Sequence, residues 1–275
     1  MSASSRRRSL VFPREHGAWG MLLVPLATGA AVGLVDGGRA LPLIPLTLAA
    51  LALFWLRTPL ESWLGTTPLR AQSGPELRLV RRTVAVLAAV SLLALTWLLR
   101  VAPLEDLWAI GGGAGLAFVA QAVVKKTWRQ GRTAAQMIGA AGLSAVAPAA
   151  LVAVTGRWAA VATSLWIANW LFSGNQIHFV QLRIHGARAS GRAGKFAAGR
   201  GFLAGQLVLF ALLAGACGLQ WFPWSAALAF VPALVRGFGW FAGSSQPLVI
   251  RRVGFTELAH SIAFGALLVW GLAGA

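Results

Sequence analysis

Long apolar runs separated by short polar links dominate the sequence. A helix of about twenty apolar residues spans the hydrocarbon core of a bilayer, so each long run is predicted to cross the membrane. The predicted crossings are 18–35, 40–57, 83–100, 107–124, 136–154, 158–182, 197–217, 222–241 and 256–273. We expect residues 1–12 to be a mobile basic tail and residues 13–275 to be one transmembrane domain. The pattern therefore predicts an all-α polytopic membrane protein with about nine helices.

The composition supports this class. The 275 residues are 57% hydrophobic and 11% charged, with a mean hydropathy of +0.71. The net charge of +17 would suggest nucleic acid in a soluble protein. Here the basic residues are assigned to links that meet anionic lipid, so membrane lipids are the predicted partner and nucleic acid is not. Cys217 is the single cysteine, which leaves no disulfide framework.

The basic residues also predict an orientation. Arg39, Arg100 and Arg157 fall in outer links, whereas the other 21 of the 24 Lys and Arg residues fall in inner ones. Lys195 and Arg236 are counted in that inner set. Because cytoplasmic links carry the excess of Lys and Arg, we expect the N-terminus inside and the C-terminus outside.

The sixth run is unusually rich in polar side chains. They fall on two adjacent helical stripes, Asn169, Ser173, Gln176 and Arg183 on one, and Asn175, His178, Leu182 and His185 on the other. Polar groups that face lipid are costly, so these are expected to face the protein interior or a wet cavity. Two interpretations stay open: hydrogen bonds that join helices, or a ligand site near one membrane face.

Several polar and charged residues from four different runs are predicted near the same inner face. They are His16, Glu61, Asn175, His178, Arg183, Arg252, Glu257 and His260. We hypothesise one cytoplasm-facing basic cavity, with His16, Glu61 and Asn175 among its binding residues. Arg183 and Arg252 would clamp an anionic head. As catalytic groups, His178 and His260 would move protons and Glu257 would orient or neutralise its neighbour.

Local alternatives exist for some of these residues. Arg57 and Glu61 are four residues apart, which is typical of an ion pair on one helix. Glu257 and His260 form a Glu-x-x-His pair, but di-metal bundles need two such pairs and two further Glu, so no metal site is predicted. Four histidines near the inner face leave haem ligation open, and the sequence identifies no cofactor.

Three blocks of sequence resemble a known family. PREHGAWGMLLVPL, residues 13–26, resembles the opening of the YwiC-like family of bacterial membrane proteins. HFVQLRIHGAR and RRVGFTELAHSIAF resemble later blocks of the same family. The resemblance implies a multi-pass protein of the bacterial cytoplasmic (inner) membrane, and it implies little chemistry.

The predicted topology resembles that of a second group, the UbiA-type intramembrane prenyltransferases. Those enzymes hold magnesium diphosphate with aspartate-rich motifs after spans two and six, so the resemblance implies a UbiA-like bundle and an isoprenoid or quinone-type ligand. The link after span two offers Glu61 and Glu76 instead, and the link after span six has no carboxylate. Because Mg²⁺ prefers carboxylate oxygens, this departure argues against magnesium-dependent prenyl transfer.

Three function classes stay open. The first is a UbiA-like enzyme or pseudo-enzyme that binds a lipid-like ligand with an anionic or quinone head. The second is a transporter or exporter of a small anion that uses the same cavity. The third is a non-catalytic subunit of a membrane complex, whose protein partner the sequence does not identify.

Overall fold

The computed structural model describes residues 3–13, 16–65, 69–102, 105–128, 131–189, 191–243 and 248–273. All regular elements within these ranges are helices. They are α1 (Ala3–Val11), α2 (His16–Val35), α3 (Leu43–Leu64), α4 (Gly74–Val101), α5 (Glu105–Thr127), α6 (Arg132–Ser144), α7 (Val146–Thr155), α8 (Ala160–His185), α9 (Gly191–Gly218), α10 (Trp224–Ala227), α11 (Val231–Ala242) and α12 (Ile250–Ala273). Short 3₁₀ turns follow α8 and α10.

Eight helical segments in these ranges are long and apolar enough to cross a membrane, with α6–α7 and α10–α11 each counted as one. The remaining long helix, α8, has 26 residues, or about 39 Å at 1.5 Å per residue. Its amides lower its hydropathy. With α8 included, every predicted crossing coincides with a helical segment, so the prediction of an all-α polytopic membrane protein is confirmed. The inside–outside orientation stays a prediction.

Helix α4 begins well before the predicted bound of residue 83, because a capping box starts it. The Ser73 hydroxyl accepts a hydrogen bond from the Glu76 backbone N–H at 3.4 Å. The Glu76 carboxylate accepts in return from the backbone N–H groups of Ser73 at 3.4 Å and Gln72 at 2.9 Å. These bonds satisfy N–H groups that the first turn of a helix leaves without partners.

The segment predicted as a basic tail contains α1, which packs on the α3–α4 hairpin. Arg6 Nε lies 2.8 Å from Glu76 Oε1, and Leu10 is fully buried. Trp55 Nε1 donates to the Val11 carbonyl at 2.7 Å. Side-chain contacts therefore join α1 to both helices of the hairpin, while the mobility of residues 1–12 stays a prediction.

Close helix contacts and stacked rings form the core around α2, α7, α8 and α12. A Cβ at Gly29 of α2 would collide with the Ala147 carbonyl of α7, so glycine is required for this contact. The rings of Phe172 on α8 and Phe264 on α12 stack with centroids 4.0 Å apart. Phe230 meets Phe264 edge-on at 5.2 Å. This aromatic stack holds α8 and α12 in register.

Candidate functional site

The most buried ion pair in the described ranges joins two helices at the end of the chain. Arg236 Nη1 on α11 donates to Glu257 Oε2 on α12. The two side chains are only 9% and 10% exposed. A charge in this environment is costly unless it is paired, which explains why neither residue is found alone.

Amide and hydroxyl groups extend the pair to α8. Arg236 Nη2 donates to Asn175 Oδ1 at 2.8 Å. Gln176 Nε2 donates to Ser261 Oγ at 2.8 Å and to the Glu257 carbonyl at 3.0 Å. We refer to Asn175, Gln176, Arg236, Glu257 and Ser261 as the buried network. It links three helices through charge-assisted and neutral hydrogen bonds.

The core positions this network. Phe172 lies one helical turn before Gln176 on α8, and its stack on Phe264 fixes α12 opposite. The guanidinium carbon of Arg236 lies 4.1 Å from the ring centroid of Phe179, one turn beyond Asn175. The aromatic face and the Asn175 amide therefore hold the guanidinium from the α8 side.

The assignment of Arg236 to an inner link was wrong. Arg236 lies within α11 and inside the predicted crossing 222–241, with its side chain buried. A signal was present, since an arginine within an apolar crossing is a candidate functional residue by default. Lys195, which comes two residues before the predicted crossing 197–217, is buried as well. It is 4% exposed within α9, and its ammonium donates to the carbonyls of Trp240 at 3.0 Å and Gly243 at 2.6 Å.

Several buried polar atoms at and near the network lack a partner among the described residues. They are Arg236 Nε, Glu257 Oε1 and both side-chain amide atoms of Gln206. The ion pair therefore uses only part of its hydrogen-bonding capacity. Gln206 on α9 is 1% exposed. It packs against Gly237, the residue after Arg236.

The structure confirms that α8 turns its amides inward. Asn169, Asn175 and Gln176 are all buried. Asn169 Nδ2 donates to Thr28 Oγ1 of α2 at 3.2 Å, which is the interhelical hydrogen bonding that one interpretation predicted. Asn175 and Gln176 also make interhelical hydrogen bonds, to α11 and α12, so this interpretation holds for both ends of the amide stripe, and a ligand site on α8 stays a prediction.

The two predicted proton carriers lie beside the network. His178 is half-buried and faces α9, with its ring centroid 5.3 Å from that of Phe202. His260 follows Glu257 on α12, and its Nδ1 lies 2.7 Å from the Thr256 carbonyl. Neither imidazole takes part in the hydrogen bonds of the buried network described above. Their proposed role in proton transfer stays a prediction.

The other predicted residues are spread along the same end of the bundle. Arg183 is partly buried and Arg252 is exposed; Arg236, rather than either of them, pairs with Glu257. Glu61 Oε1 pairs with Arg57 Nε at 3.1 Å, as the local alternative predicted. His16 begins α2, and its side chain lies outside the described part of the structure.

Glu61 lines a cleft of about 190 Å³ between α1, α2 and α3. Its walls are Ser9, Phe12, Pro13, Ala18, Phe54, Arg57, Thr58, Glu61, Ser62 and Leu69. The structure therefore groups Asn175 and Glu257 in the network and places Glu61 in a separate cleft. In neither place, among the described residues, do three His, Cys, Asp or Glu side chains form a metal-binding group.

The first half of the chain matches the profile of a known family. The profile described as YwiC-like protein matches residues 12–151, about half of the chain. The matched range includes α2 to α6, the first part of α7 and the cleft residues on α3. It ends before α8, so the buried network lies outside it. No curated protein matches the chain.

Proposed function

The chain belongs to the YwiC-like protein family, and from its buried network we propose that it binds the anionic head of a lipid-like ligand at Arg236. We place it in the bacterial cytoplasmic membrane, with the network reached from the cytoplasm. The observation that carries the proposal is the buried Arg236–Glu257 pair. An ionisable residue within a membrane protein is retained at a cost, and it marks a ligand or ion site more often than a purely structural one.

The pair has the chemistry to exchange partners. A guanidinium presents a fork of N–H donors that matches phosphate or carboxylate oxygens. Of these donors, Nη1 binds Glu257, Nη2 binds Asn175 and Nε has no partner among the described residues. An incoming anion would take the place of Glu257 on Nη1 and add a bond to Nε. Glu257 thus serves as an internal counter-ion that keeps Arg236 neutralised while no ligand is bound.

In this proposal, Arg183 and Arg252 attract the ligand before it binds at Arg236. Arg183 lies two turns beyond Gln176 on α8, and Arg252 lies more than one turn before Glu257 on α12. Both are therefore nearer than the network to the predicted cytoplasmic face. Their charges attract an anion toward Arg236 instead of clamping it.

Transport of an anion is a second candidate, and the same ion pair favours it. An ion pair that opens for a ligand and closes afterwards can release that ligand on either side of the membrane. Magnesium-dependent prenyl transfer has less support, since the network offers a guanidinium and two amides where Mg²⁺ would prefer several carboxylates.

Native mass spectrometry of the protein in a non-ionic detergent tests the proposal with oleyl phosphate and oleyl alcohol as probes. These probes share one chain and differ in the anionic head. We expect the wild type to bind oleyl phosphate and not oleyl alcohol. The double variant Arg236→Gln/Glu257→Gln removes both charges together, so no unpaired charge is left, and it should lose the binding.

The matched control is Arg57→Gln/Glu61→Gln, which removes the Arg–Glu pair of the cleft. This variant should keep the binding of oleyl phosphate. Loss of binding in the control with retention in the network variant would move the site to the cleft. Binding that is the same in all three proteins would contradict Arg236 as the anion site.

A further inference from the structure

Gln206 is a buried polar residue whose role in packing is unexplained. Its side chain is 1% exposed, and neither amide atom has a hydrogen-bond partner among the described residues. A buried amide without a partner destabilises a folded protein, and a leucine of similar size would avoid this cost. A glutamine in this place therefore suggests a partner other than the protein itself.

The neighbouring helix is built to admit this side chain. A Cβ at position 237 of α11 would lie 2.8 Å from Gln206 Nε2 and 2.9 Å from its amide carbon. A side chain at position 237 would thus displace the Gln206 amide. Glycine weakens a helix, so we attribute Gly237 to this close contact with the Gln206 amide.

The amide also lies where polar residues of three helices converge. Gly237 directly follows Arg236 on α11. On α9, the residue before Gln206 is Gly205. The His178 ring of α8 packs against this glycine, with its Nδ1 3.3 Å from where a Cβ on Gly205 would lie. The Gly205–Gln206 dipeptide thus sits between the helix that carries Arg236 and the helix that carries Asn175 and His178.

We infer that Gln206 binds an uncharged polar group, a hydroxyl or a carbonyl, of the ligand whose anionic head Arg236 holds. The inference rests on the proposed function. A carboxamide offers both a donor and an acceptor, so it accepts from a hydroxyl or donates to a carbonyl oxygen. The ligand class narrows to amphiphiles that carry a second polar group close to the anionic head.

Two probes that share a phosphate and an eighteen-carbon chain test the contribution of the second polar group separately from that of the anionic head. Oleyl phosphate has no second polar group, whereas 1-oleoyl lysophosphatidate adds a free hydroxyl and an ester carbonyl. We expect the wild type to bind lysophosphatidate about tenfold more tightly, as one well-placed hydrogen bond allows. Gln206→Leu should bind both probes equally, at the affinity that the wild type has for oleyl phosphate.

Thermal unfolding gives a second readout without any probe. Gln206→Leu removes an unpaired buried amide, so its midpoint should rise by about 2 °C or more. The matched control is Gln121→Leu on α5, because Gln121 is also buried and also packs over a helix glycine, Gly139 of α6. This control should leave the preference for lysophosphatidate unchanged.

The outcomes separate this inference from the proposed function. A wild type that binds neither probe contradicts both. A wild type that binds the two probes equally, or a Gln206→Leu variant that keeps the preference, contradicts the role of Gln206 alone. A lower midpoint for Gln206→Leu would show that its amide has a structural partner, and this result too would overturn the inference.

Discussion

Arg236 of α11 and Glu257 of α12 neutralise each other inside the bundle, and Nη2 of the same guanidinium donates a hydrogen bond to Asn175 Oδ1 of α8 at 2.8 Å. Buried ion pairs add little net stability, because apolar side chains of similar volume often pack as well or better. Removing one partner, however, leaves a costly unpaired charge. These two costs are the basis of our proposal that the pair exchanges with a ligand.

The orientation of the chain is open to a direct test. Reporter fusions after Arg39, Arg100, Arg157 and Leu219 should be outside, and fusions after Gln72, Gln130 and Gly191 should be inside. The reason is the excess of Lys and Arg in the second set of links. Two or more reversed reporters would contradict the nine-crossing topology and cytoplasmic access to the network.

Arg183 and Arg252 should contribute through long-range attraction. Arg183→Ala and Arg252→Ala are each expected to weaken oleyl phosphate binding about threefold in low salt and hardly at all in about 1 M salt, where charges are screened over a few ångströms. Titrations at the two salt concentrations measure this. A loss as large as that of Arg236→Gln/Glu257→Gln at both concentrations would instead support the clamp predicted from the sequence.

Magnesium should have little influence on the affinity for a diphosphate. The network holds one carboxylate, Glu257, and it is already paired with Arg236. Titration with farnesyl diphosphate in the presence of Mg²⁺ and of EDTA should therefore give similar dissociation constants. A strong increase in affinity with Mg²⁺ would indicate that Glu61 and Glu76 replace the aspartate-rich motif, and it would favour prenyl transfer.

Lys195 should matter for stability. Its ammonium binds the carbonyls of Trp240 and Gly243 at the end of α11, and hydrogen bonds to a charged group contribute about 1.5–3 kcal/mol each. Lys195→Met should lower the thermal midpoint, followed by tryptophan fluorescence, by several degrees. Arg192→Met, an exposed position on the same helix, is the control and should change it little. Equal midpoints would mean that the carbonyls find other partners.

The sequence predicted the class and the crossings because both follow from one physical constraint, the exclusion of polar backbone and side chains from lipid. Helix ends were less accurate. The start of α4 was placed at residue 83 from the apolar run alone, although Ser73 and Glu76 have the spacing of a capping box. Helices extend beyond the lipid core wherever capping and packing allow, so hydropathy marks the crossing and not the helix.

The candidate site was predicted in part. The inward face of α8 followed from the cost of placing Asn169, Asn175 and Gln176 in lipid, and the structure confirms their burial. Arg236 was missed because charge counting treats each arginine as part of a link. The helical period of a sequence does not tell which helices are neighbours. The Arg236–Glu257 pair could therefore be recognised only from the packing of α11 on α12.

The affinity of Glu257→Gln for oleyl phosphate tests the central claim most directly. Glutamine keeps the size of the side chain and removes the charge that competes with the ligand for Arg236. The dissociation constant of the folded variant, selected by gel filtration, should therefore fall about tenfold or more below that of the wild type. A dissociation constant that is unchanged or higher would show that the anion does not take the place of Glu257, and it would contradict Arg236 as the binding site.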